Sequence, residues 1–284
     1  MNIFKKIRDM KAQSYDWKKS GKIIGIVPTM GCLHEGHLSL IRESVKDCDK
    51  TVVTIFVNPI QFAPGEDFNS YPRVFERDCE LCEKERVDAV FYPADSEMYP
   101  EGFQTKVSVK ELQKHLCGLS RPGHFDGVTT VVLKLFNIVM PHKAYFGQKD
   151  YQQLQIIKRM VGDLNLDVEI IEMPIVREKD GLAMSSRNRY LSDEERKKAL
   201  IVPRIIDEAE KLLRKGDKKI KEIKKYLYSM AEDVEGAKVD YISFSDPETL
   251  DDIAEIQNHV LVAVAIKIGS ARLIDNRVIH LTKE

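Results

Sequence analysis

The chain has 284 residues, of which 43% are hydrophobic and 31% are charged, a composition typical of a globular protein large enough for two domains. A formal net charge of −1 excludes a global field that would attract nucleic acid or an anionic membrane. No apolar stretch approaches the roughly 18 residues that a membrane-spanning helix needs. The N-terminal segment lacks the apolar core of a signal peptide, and five cysteines without regular spacing fit a reducing compartment, so we expect a cytoplasmic protein.

Strands and helices are predicted to alternate along the first part of the chain. Short apolar runs predict strands at 22–27, 51–57, 88–92, 143–146 and 167–173. Helical periodicity predicts one helix that begins at Gly36 and three more at 73–86, 128–139 and 151–161. Pro141 ends the helix at 128–139. This alternation favours a parallel sheet with right-handed crossovers. We therefore expect an α/β fold with a Rossmann-like, doubly wound first domain at residues 1–180.

The pattern changes after the region 176–186. Two Lys/Glu-rich amphipathic helices are predicted at 193–215 and 218–234, and strands are predicted at 238–244, 259–268 and 272–280. We expect these elements to form a smaller α+β domain at residues 181–284.

The first candidate site is the segment PTMGCLHEGH (28–37), between the first strand and the helix that follows it. Ligands of open α/β sheets bind beyond the carboxyl ends of the strands, and a helix start there suits phosphate. Gly31 and Gly36 allow close approach of the backbone to a ligand, while His34 and His37 are spaced so that both rings can face one anion. A capping role or a zinc site is the alternative, although the spacing differs from that of H-E-x-x-H.

Two later loops carry further polar groups. FGQKD (146–150) places Lys149 at a second strand-to-helix junction, and MSSRN (184–188) offers two hydroxyls and a guanidinium. Both sets can bind phosphate oxygens. Taken alone, each loop could equally be a turn with a solvated lysine, or a helix cap followed by a surface arginine.

Together, in this chain order, the three loops resemble the nucleotidyltransferase superfamily that includes class I aminoacyl-tRNA synthetases. The stretches between them resemble the pantothenate synthetase family almost continuously to residue 192, and more loosely afterwards. The stretches that carry this resemblance are PTMGCLHEGHLSL (28–40), FVNPIQF (56–62), YPRVFERD (71–78), RPGHFDGVTTVVLKLFNIVMP (121–141), YFGQKDYQQL (145–154), VREKDGLAMSSRNRYLS (176–192), DYISF (240–244) and ARLIDN (271–276).

The resemblance implies an ATP-dependent ligase that joins pantoate to β-alanine through a pantoyl-adenylate, as a homodimer. His37 would be the general acid, with His34 and Lys149 completing the catalytic set, and Gln61 and Gln153 would bind pantoate and β-alanine. Mg²⁺ would arrive with the triphosphate rather than in a protein metal site. The residues implied for ATP binding are Met30, Gly31, Cys32, Leu33, His34, Glu35, Gly36, His37, Gly147, Gln148, Lys149, Asp150, Val176, Met184, Ser185, Ser186 and Arg187.

Two of these positions depart from the family's usual residues, since Cys32 stands where alanine is usual and Gln148 where glutamate is frequent.

Three other functions are possible alternatives to this one. Another nucleotidyltransferase would need cations for a phosphorylated acceptor, and FVNPIQF offers amides. A tRNA-charging enzyme would need a basic stripe, which the second part lacks. A nucleotide sensor without turnover could keep the glycines but would not need both histidines, Lys149 and Arg187.

Overall fold

The computed structural model describes residues 1–216, 219–256 and 258–281. Among these residues the strands are β1 (Asn2–Phe4), β2 (Ile24–Thr29), β3 (Lys50–Ile55), β4 (Ala89–Phe91), β5 (Lys143–Gly147), β6 (Glu169–Met173), β7 (Ala237–Ser245), β8 (His259–Ile268) and β9 (Ala271–His280). The α-helices are α1 (Ile7–Lys19), α2 (Glu35–Asp47), α3 (Phe75–Lys84), α4 (Asp95–Met98), α5 (Leu116–Ser120), α6 (His124–Val139), α7 (Tyr151–Asp163), α8 (Asp193–Ala199), α9 (Ile201–Lys215) and α10 (Ile220–Glu232).

The chain forms two compact units, and the first comprises Met1–Gln113, Arg121–Gly147 and Gln153–Pro174. Its six-stranded sheet has the order β1-β4-β3-β2-β5-β6, and every neighbouring pair is parallel. The predicted parallel α/β fold is confirmed. The carboxyl ends of the strands therefore lie along one edge of the sheet, where the loops that follow β2, β3 and β5 begin.

The central strands are buried because their apolar side chains pack against helices. Val27, Val53 and Val90 come from three adjacent strands and join Ile41 of α2 in one core cluster. All four are fully buried. Each such side chain stabilises the fold by about 1.5–3 kcal/mol relative to an exposed one.

Strand β2 includes Pro28 and ends at Thr29, two residues beyond the end predicted from the sequence. The backbone carbonyl of Ile24 accepts a hydrogen bond from the backbone N–H of His142. The backbone N–H and C=O groups of every second residue of β2, counted from Ile24, therefore point towards β5. Pro28 faces that side too, and the pairing with β5 stops at Ile26. The missing N–H of the proline therefore leaves no gap in the pairing.

The elements β1 and α1 were not predicted. Strand β1 has only three residues and pairs with β4 at the edge of the sheet. Helix α1 is rich in charge and buries only Met10 and Ser14. Short strands and weakly amphipathic helices give little periodic signal.

The second unit comprises Lys114–Ser120, Gln148–Gln152 and Ile175–Glu284. Its three strands form an antiparallel sheet in the order β7-β8-β9. Side chains of α9, α10 and the three strands share one apolar core, which includes Ile205, Leu227 and Val262. The predicted α+β character is confirmed. The division at residues 180 and 181 stays a prediction, and two short segments that precede it, Lys114–Ser120 and Gln148–Gln152, group with this unit.

The single helix predicted at 193–215 is wrong, because the structure contains α8 and α9 in its place. Helix α8 ends at Ala199, and α9 begins at Ile201. Pro203 has no N–H to donate to Ala199, so a continuous helix would lose a hydrogen bond there. Proline is tolerated in the first turn of a helix, which is where α9 places it.

Candidate active site

The loop Met30–His34 connects β2 to α2 and is called the β2–α2 loop below. The Thr29 hydroxyl donates to the backbone carbonyl of Thr54 at 2.7 Å and accepts from the N–H of Gly31 at 3.1 Å. Gly31 and Cys32 have φ angles of +81° and +52°, so two successive residues are left-handed. The loop is thus a fixed turn that is anchored to the neighbouring strand β3.

The backbone N–H groups of residues 31–34 in this loop donate to protein acceptors. Those of Cys32 and Leu33 donate to the carboxylate of Asp78 at 2.7 and 2.8 Å. The first two amides of α2, those of Glu35 and Gly36, have no acceptor within the part of the chain that the structure describes. An N-terminal helix turn with open amides attracts anions.

His34 and His37 lie together at this helix start, as the spacing predicted. Their ring centroids are 4.0 Å apart, and the rings are inclined by 35°. The N–H of His34 donates to Nδ1 of His37 at 3.3 Å. Because Nδ1 acts as an acceptor, the neutral ring of His37 carries its proton on Nε2. His37 is therefore arranged as a hydrogen-bond donor through Nε2.

Glu35 has a structural partner beside the same helix start. Its carboxylate is bonded to the Arg42 guanidinium, which also binds Glu85. The hydrogen bond from Arg42 lowers the pKa of Glu35, and the smaller effect of burial opposes this. The carboxylate of Glu35 is thus held by Arg42 along the side of α2.

Gln61 lies in a single 3₁₀ turn, Pro59–Gln61, that follows β3. Its Oε1 accepts from Nδ2 of Asn58 at 3.0 Å, and its Nε2 lies 3.3 Å from Sδ of Met30. Asn58 is only 1% exposed, and its own Oδ1 accepts from the Tyr99 hydroxyl at 2.7 Å. Asn58 Nδ2 also donates to the carbonyl oxygen of Gly127 at 3.0 Å. These contacts of Asn58 fix the orientation of the Gln61 amide, so that its NH₂ group lies on the side of Met30.

Helix α6 supports the backbone of the same turn. Nδ1 of His124 is 2.8 Å from the carbonyl oxygen of Gln61. A Cβ on Gly127 would lie 2.5 Å from the carbonyl oxygen of Ile60 and 2.7 Å from Cα of Gln61. Only glycine allows so close an approach. His124 is the first residue of α6, so the start of this helix contacts the turn that carries Gln61.

Gln153, the second glutamine implied for pantoate, is half-buried in the first turn of α7. This helix follows β5, the neighbour of β2 in the sheet. Gly147 is the last residue of β5. Gln61 and Gln153 thus follow strands on either side of β2, at the edge where the β2–α2 loop begins.

A cavity of about 450 Å³ borders this loop in the first unit. Met30, Gly31 and Asp78 form one part of its wall. Phe75 and Tyr92, whose rings stack at 4.0 Å, form another.

In the second unit, Lys149 lies in the 3₁₀ turn Gln148–Asp150. Nδ2 of Asn276 donates to the carbonyl oxygens of Gln148 and Lys149 at 3.0 and 2.9 Å, which ties the turn to β9. The Nζ of Lys149 lies 3.8 Å from the Asp150 carboxylate. Asn276 belongs to the ARLIDN stretch, but the sequence analysis gave it no role.

The segment 176–187 folds back on itself in the same unit. The N–H of Met184 donates to the carbonyl oxygen of Val176 at 2.9 Å, and Arg177 pairs with Ala183. Arg177 also donates to both oxygens of the buried Asp275 at 2.6 and 2.9 Å. The structure thus brings Val176 and Met184 together and fixes their segment to β9.

Ser185 begins a short 3₁₀ helix, Ser186–Tyr190, as its N-cap. Its hydroxyl accepts from the N–H of Arg187 at 3.3 Å. A capping role was the alternative weighed for this loop, and the structure shows such a contact.

The residues that sequence reasoning missed are buried polar groups that hold the loops. Asp78, Asn58 and Asp275 are each at most 2% exposed. All three lie inside stretches quoted for the family resemblance. A buried polar residue needs a partner, and that requirement was the available signal.

Comparisons with known proteins point to one family over almost the whole chain. A model of the family described as pantoate–β-alanine ligase matches residues 2–278. A pantothenate synthetase from Caldicellulosiruptor bescii is 57% identical over 280 residues, which are 99% of each chain.

Solved structures give the same result. A pantothenate synthetase from Thermus thermophilus is 42% identical, with a TM-score of 0.91 over 98% of this chain and 99% of its own. A pantoate–β-alanine ligase from Francisella tularensis, in complex with β,γ-ATP and β-alanine, is 35% identical, with a TM-score of 0.81 over 98% of this chain and 97% of its own. With its matched sequence and its matched fold, the chain belongs to the pantoate–β-alanine ligase family.

Proposed function

We propose that this chain joins pantoate to β-alanine at the expense of ATP, through a pantoyl-adenylate, and releases AMP and pyrophosphate. The observation that carries this proposal is the family match over residues 2–278. The Francisella tularensis relative binds a nucleotide and β-alanine, and the same ligands are proposed here.

In the first step, a pantoate carboxylate oxygen attacks the α-phosphorus of ATP, and the bond to the β-phosphate oxygen breaks. The amino end of α2 is proposed as the α-phosphate site. Nε2–H of His37, the ring of His34 and the amides of Glu35 and Gly36 would stabilise the negative charge that grows there. His37 would act as the general acid through this proton.

The second unit supplies the other ATP contacts in this proposal. The ammonium of Lys149 and the guanidinium of Arg187, with the hydroxyls of Ser185 and Ser186, would bind the outer phosphates and the departing pyrophosphate. The backbone at Gly147, Gln148, Asp150, Val176 and Met184 would contact the rest of the nucleotide. We propose that these groups and the histidines act on a single triphosphate.

Gln61 and Gln153 are proposed to bind pantoate, and Gln61 also to meet β-alanine. The hydrogen bond from Asn58 to Oε1 fixes the orientation of the Gln61 side-chain amide. Its NH₂ group can then donate to a substrate oxygen. A neutral donor can bind the carboxylate without forming a strong ion pair, which would lower the nucleophilicity of the carboxylate.

In the second step, the amine of β-alanine attacks the acyl carbon, the amide bond forms, and AMP leaves with the oxygen that bridged carbon and phosphorus. The amine loses a proton in this step. We propose that solvent water accepts this proton.

We propose that Mg²⁺ accompanies ATP. Among the described residues, no group of three His, Cys, Asp or Glu side chains is placed to hold a metal ion. The triphosphate and water would therefore supply most ligands, as is usual for this ion. Its charge would lower the repulsion between the phosphates.

The proposed activity is tested by mixing the purified chain with ATP, Mg²⁺ and pantoate. We expect a burst of pyrophosphate, close to one per active site, and steady release of AMP only after β-alanine is added. A nucleotide sensor would release no pyrophosphate, and a transferase with another acceptor would not respond to pantoate. Either result would refute the proposed function.

The assembly and the location are proposals of the same kind. The family resemblance suggests a homodimer in the cytoplasm. Within the described residues, no helix is both long enough and apolar enough to cross a membrane. Sedimentation equilibrium would show a mass near twice the 32.6 kDa of one chain if the dimer forms.

A further inference from the structure

The carboxylate of Asp78 lies under the β2–α2 loop and is 1% exposed. Its Oδ2 accepts the N–H of Cys32 at 2.7 Å, and its Oδ1 accepts the N–H of Leu33 at 2.8 Å. Hydrogen bonds from backbone amides to a carboxylate are short and strong. Each of the two bonds fixes the direction in which its N–H group points. Asp78 therefore fixes the orientation of two successive peptide groups.

The backbone of the loop is shaped to meet this carboxylate. Gly31 and Cys32 have positive φ angles, and such angles are unfavourable for a residue that carries a Cβ, as Cys32 does. A Cβ on Gly31 would lie 2.9 Å from Oδ2 of Asp78 and 3.1 Å from Cγ2 of Ile55. The turn thus depends on a glycine at one position and on the carboxylate contact at the next two.

This arrangement divides the amides at the helix start into two groups. Those of Cys32 and Leu33 are bound by Asp78. Those of Glu35 and Gly36 have no acceptor in the described portion of the chain. A phosphate at the amino end of α2 can therefore take its backbone hydrogen bonds only from the second group.

We propose that Asp78 is a positioning residue for ATP. It holds the β2–α2 loop in the turn that directs the amides of Glu35 and Gly36, together with the imidazoles of His34 and His37, towards the phosphate. Asp78 itself does not touch the nucleotide. This inference rests on the proposed function only in so far as the chain binds ATP.

Amide hydrogen exchange in the unmodified chain, resolved to single residues, gives the first test. The amides of Cys32 and Leu33 should exchange slowly without ligand and should not change when ATP and Mg²⁺ are added. The amides of Glu35 and Gly36 should slow by about tenfold or more on ATP binding, a change of about 1.4 kcal/mol. The inference is overturned if Cys32 and Leu33 exchange rapidly and gain the protection from ATP.

The variant Asp78→Asn gives the second test, with Asp88→Asn as a matched control. Asp88 also accepts a backbone N–H, that of Thr51 at 2.9 Å, and binds Lys50 at 2.6 Å. It lies at the amino ends of β3 and β4, opposite the loop. An amide at position 78 can accept from only one of the two N–H groups and places its own NH₂ against the other.

We expect Asp78→Asn to weaken ATP binding about tenfold by calorimetry, while Asp88→Asn binds ATP as the unmodified chain does. The KM for pantoate should stay within about twofold in both variants, because pantoate is assigned to Gln61 and Gln153. A tenfold change would correspond to about 1.4 kcal/mol. Unchanged ATP affinity in a folded Asp78→Asn variant would overturn the inference. If this variant does not fold, the exchange experiment decides.

Both binding measurements proceed without turnover. A chain that binds ATP but forms no adenylate would refute the proposed function and still allow the role of Asp78 to be measured.

Discussion

At the scale of single residues, the chemistry depends on which atom of each polar side chain is already bonded. Nδ1 of His37 accepts the amide of His34, and Oε1 of Gln61 accepts from Asn58. These contacts leave Nε2–H of His37 and the NH₂ group of Gln61 as the donors. The local hydrogen bonds thus select one of two possible roles for each side chain before a substrate arrives.

Replacement of His37 by alanine should slow pantoate-dependent pyrophosphate release by about 10²–10³-fold, which is the usual loss when one donor to a developing charge is removed. The variant should keep its fold, because His37 is only half-buried. Stopped-flow measurement of pyrophosphate provides the rate. His280→Ala, at an exposed position of β9, is the control and should react normally. Normal turnover by His37→Ala would refute its assigned role.

Tyr99 orients Asn58 and, through it, Gln61. Burial raises the pKa of Tyr99, so its hydroxyl stays protonated and donates to Asn58. Tyr99→Phe should lower the free energy of unfolding by about 0.5–1.5 kcal/mol and should raise the KM for pantoate more than that for ATP. Tyr15→Phe, at a side chain that is 62% exposed, should change neither quantity. An equal rise of both KM values would contradict this role.

At the scale of elements, helix α6 positions the turn that carries Gln61. The peptide groups of Ile60 and Gln61 lie so close to Gly127 that a methyl group has no room. Gly127→Ala should therefore displace the turn and cost about 1–3 kcal/mol in the free energy of unfolding, as overpacking usually does. The KM for pantoate should rise as well.

Gly162→Ala is the matched control for this change. Gly162 also lies in a helix, α7, and an added Cβ there meets no atom within 4 Å. Alanine should stabilise the helix by up to about 1 kcal/mol. Urea unfolding and steady-state kinetics of both variants check the prediction, which fails if Gly127→Ala is as harmless as the control.

The segment after Gln61 is linked to the start of α6 by an ion pair. The Arg121 guanidinium donates to both carboxylate oxygens of Glu66 at 2.7 and 2.6 Å. Burial raises the pKa of Glu66, but the bonds from Arg121 and its charge outweigh this, so the pKa lies below its ordinary value of 4.5.

A lowered folded-state pKa gives stability that is present above pH 4.5 and is lost as the pH falls through the folded-state value. The difference in unfolding free energy between the unmodified chain and Glu66→Gln should therefore be constant near neutral pH and should shrink below pH 4.5. Urea unfolding at several pH values measures it. Glu101→Gln, at an exposed position, is the control. A difference that does not depend on pH would contradict the account.

At the scale of the whole molecule, the sequence predicted the positions of strands, helices and the His34–His37 pair better than the long-range contacts that hold the loops. Local patterns in the sequence reveal the apolar runs of β2 and β3 and the helix that begins beside Gly36. They also reveal the segment 28–37, which joins β2 to that helix. The contact of Asp78 with Cys32 joins positions 46 residues apart, and that of Tyr99 with Asn58 joins positions 41 apart. Such contacts depend on the order of the strands in the sheet, which local periodicity does not contain.

The same reasoning explains the misplaced elements. Strand β1 is too short to show alternation, and the break between α8 and α9 arises from one proline within a continuous amphipathic pattern. The convergence of the histidines with Lys149 and Arg187 on one triphosphate stays a prediction.

The central claim is that a pantoate carboxylate oxygen attacks the α-phosphorus of ATP, and an isotope measurement tests it most directly. Pantoate labelled with ¹⁸O in its carboxylate is converted with unlabelled ATP and β-alanine, and the AMP is analysed by mass spectrometry. The account predicts that each AMP carries one labelled oxygen and that the pyrophosphate carries none. Unlabelled AMP, or label in inorganic phosphate or pyrophosphate, would contradict it.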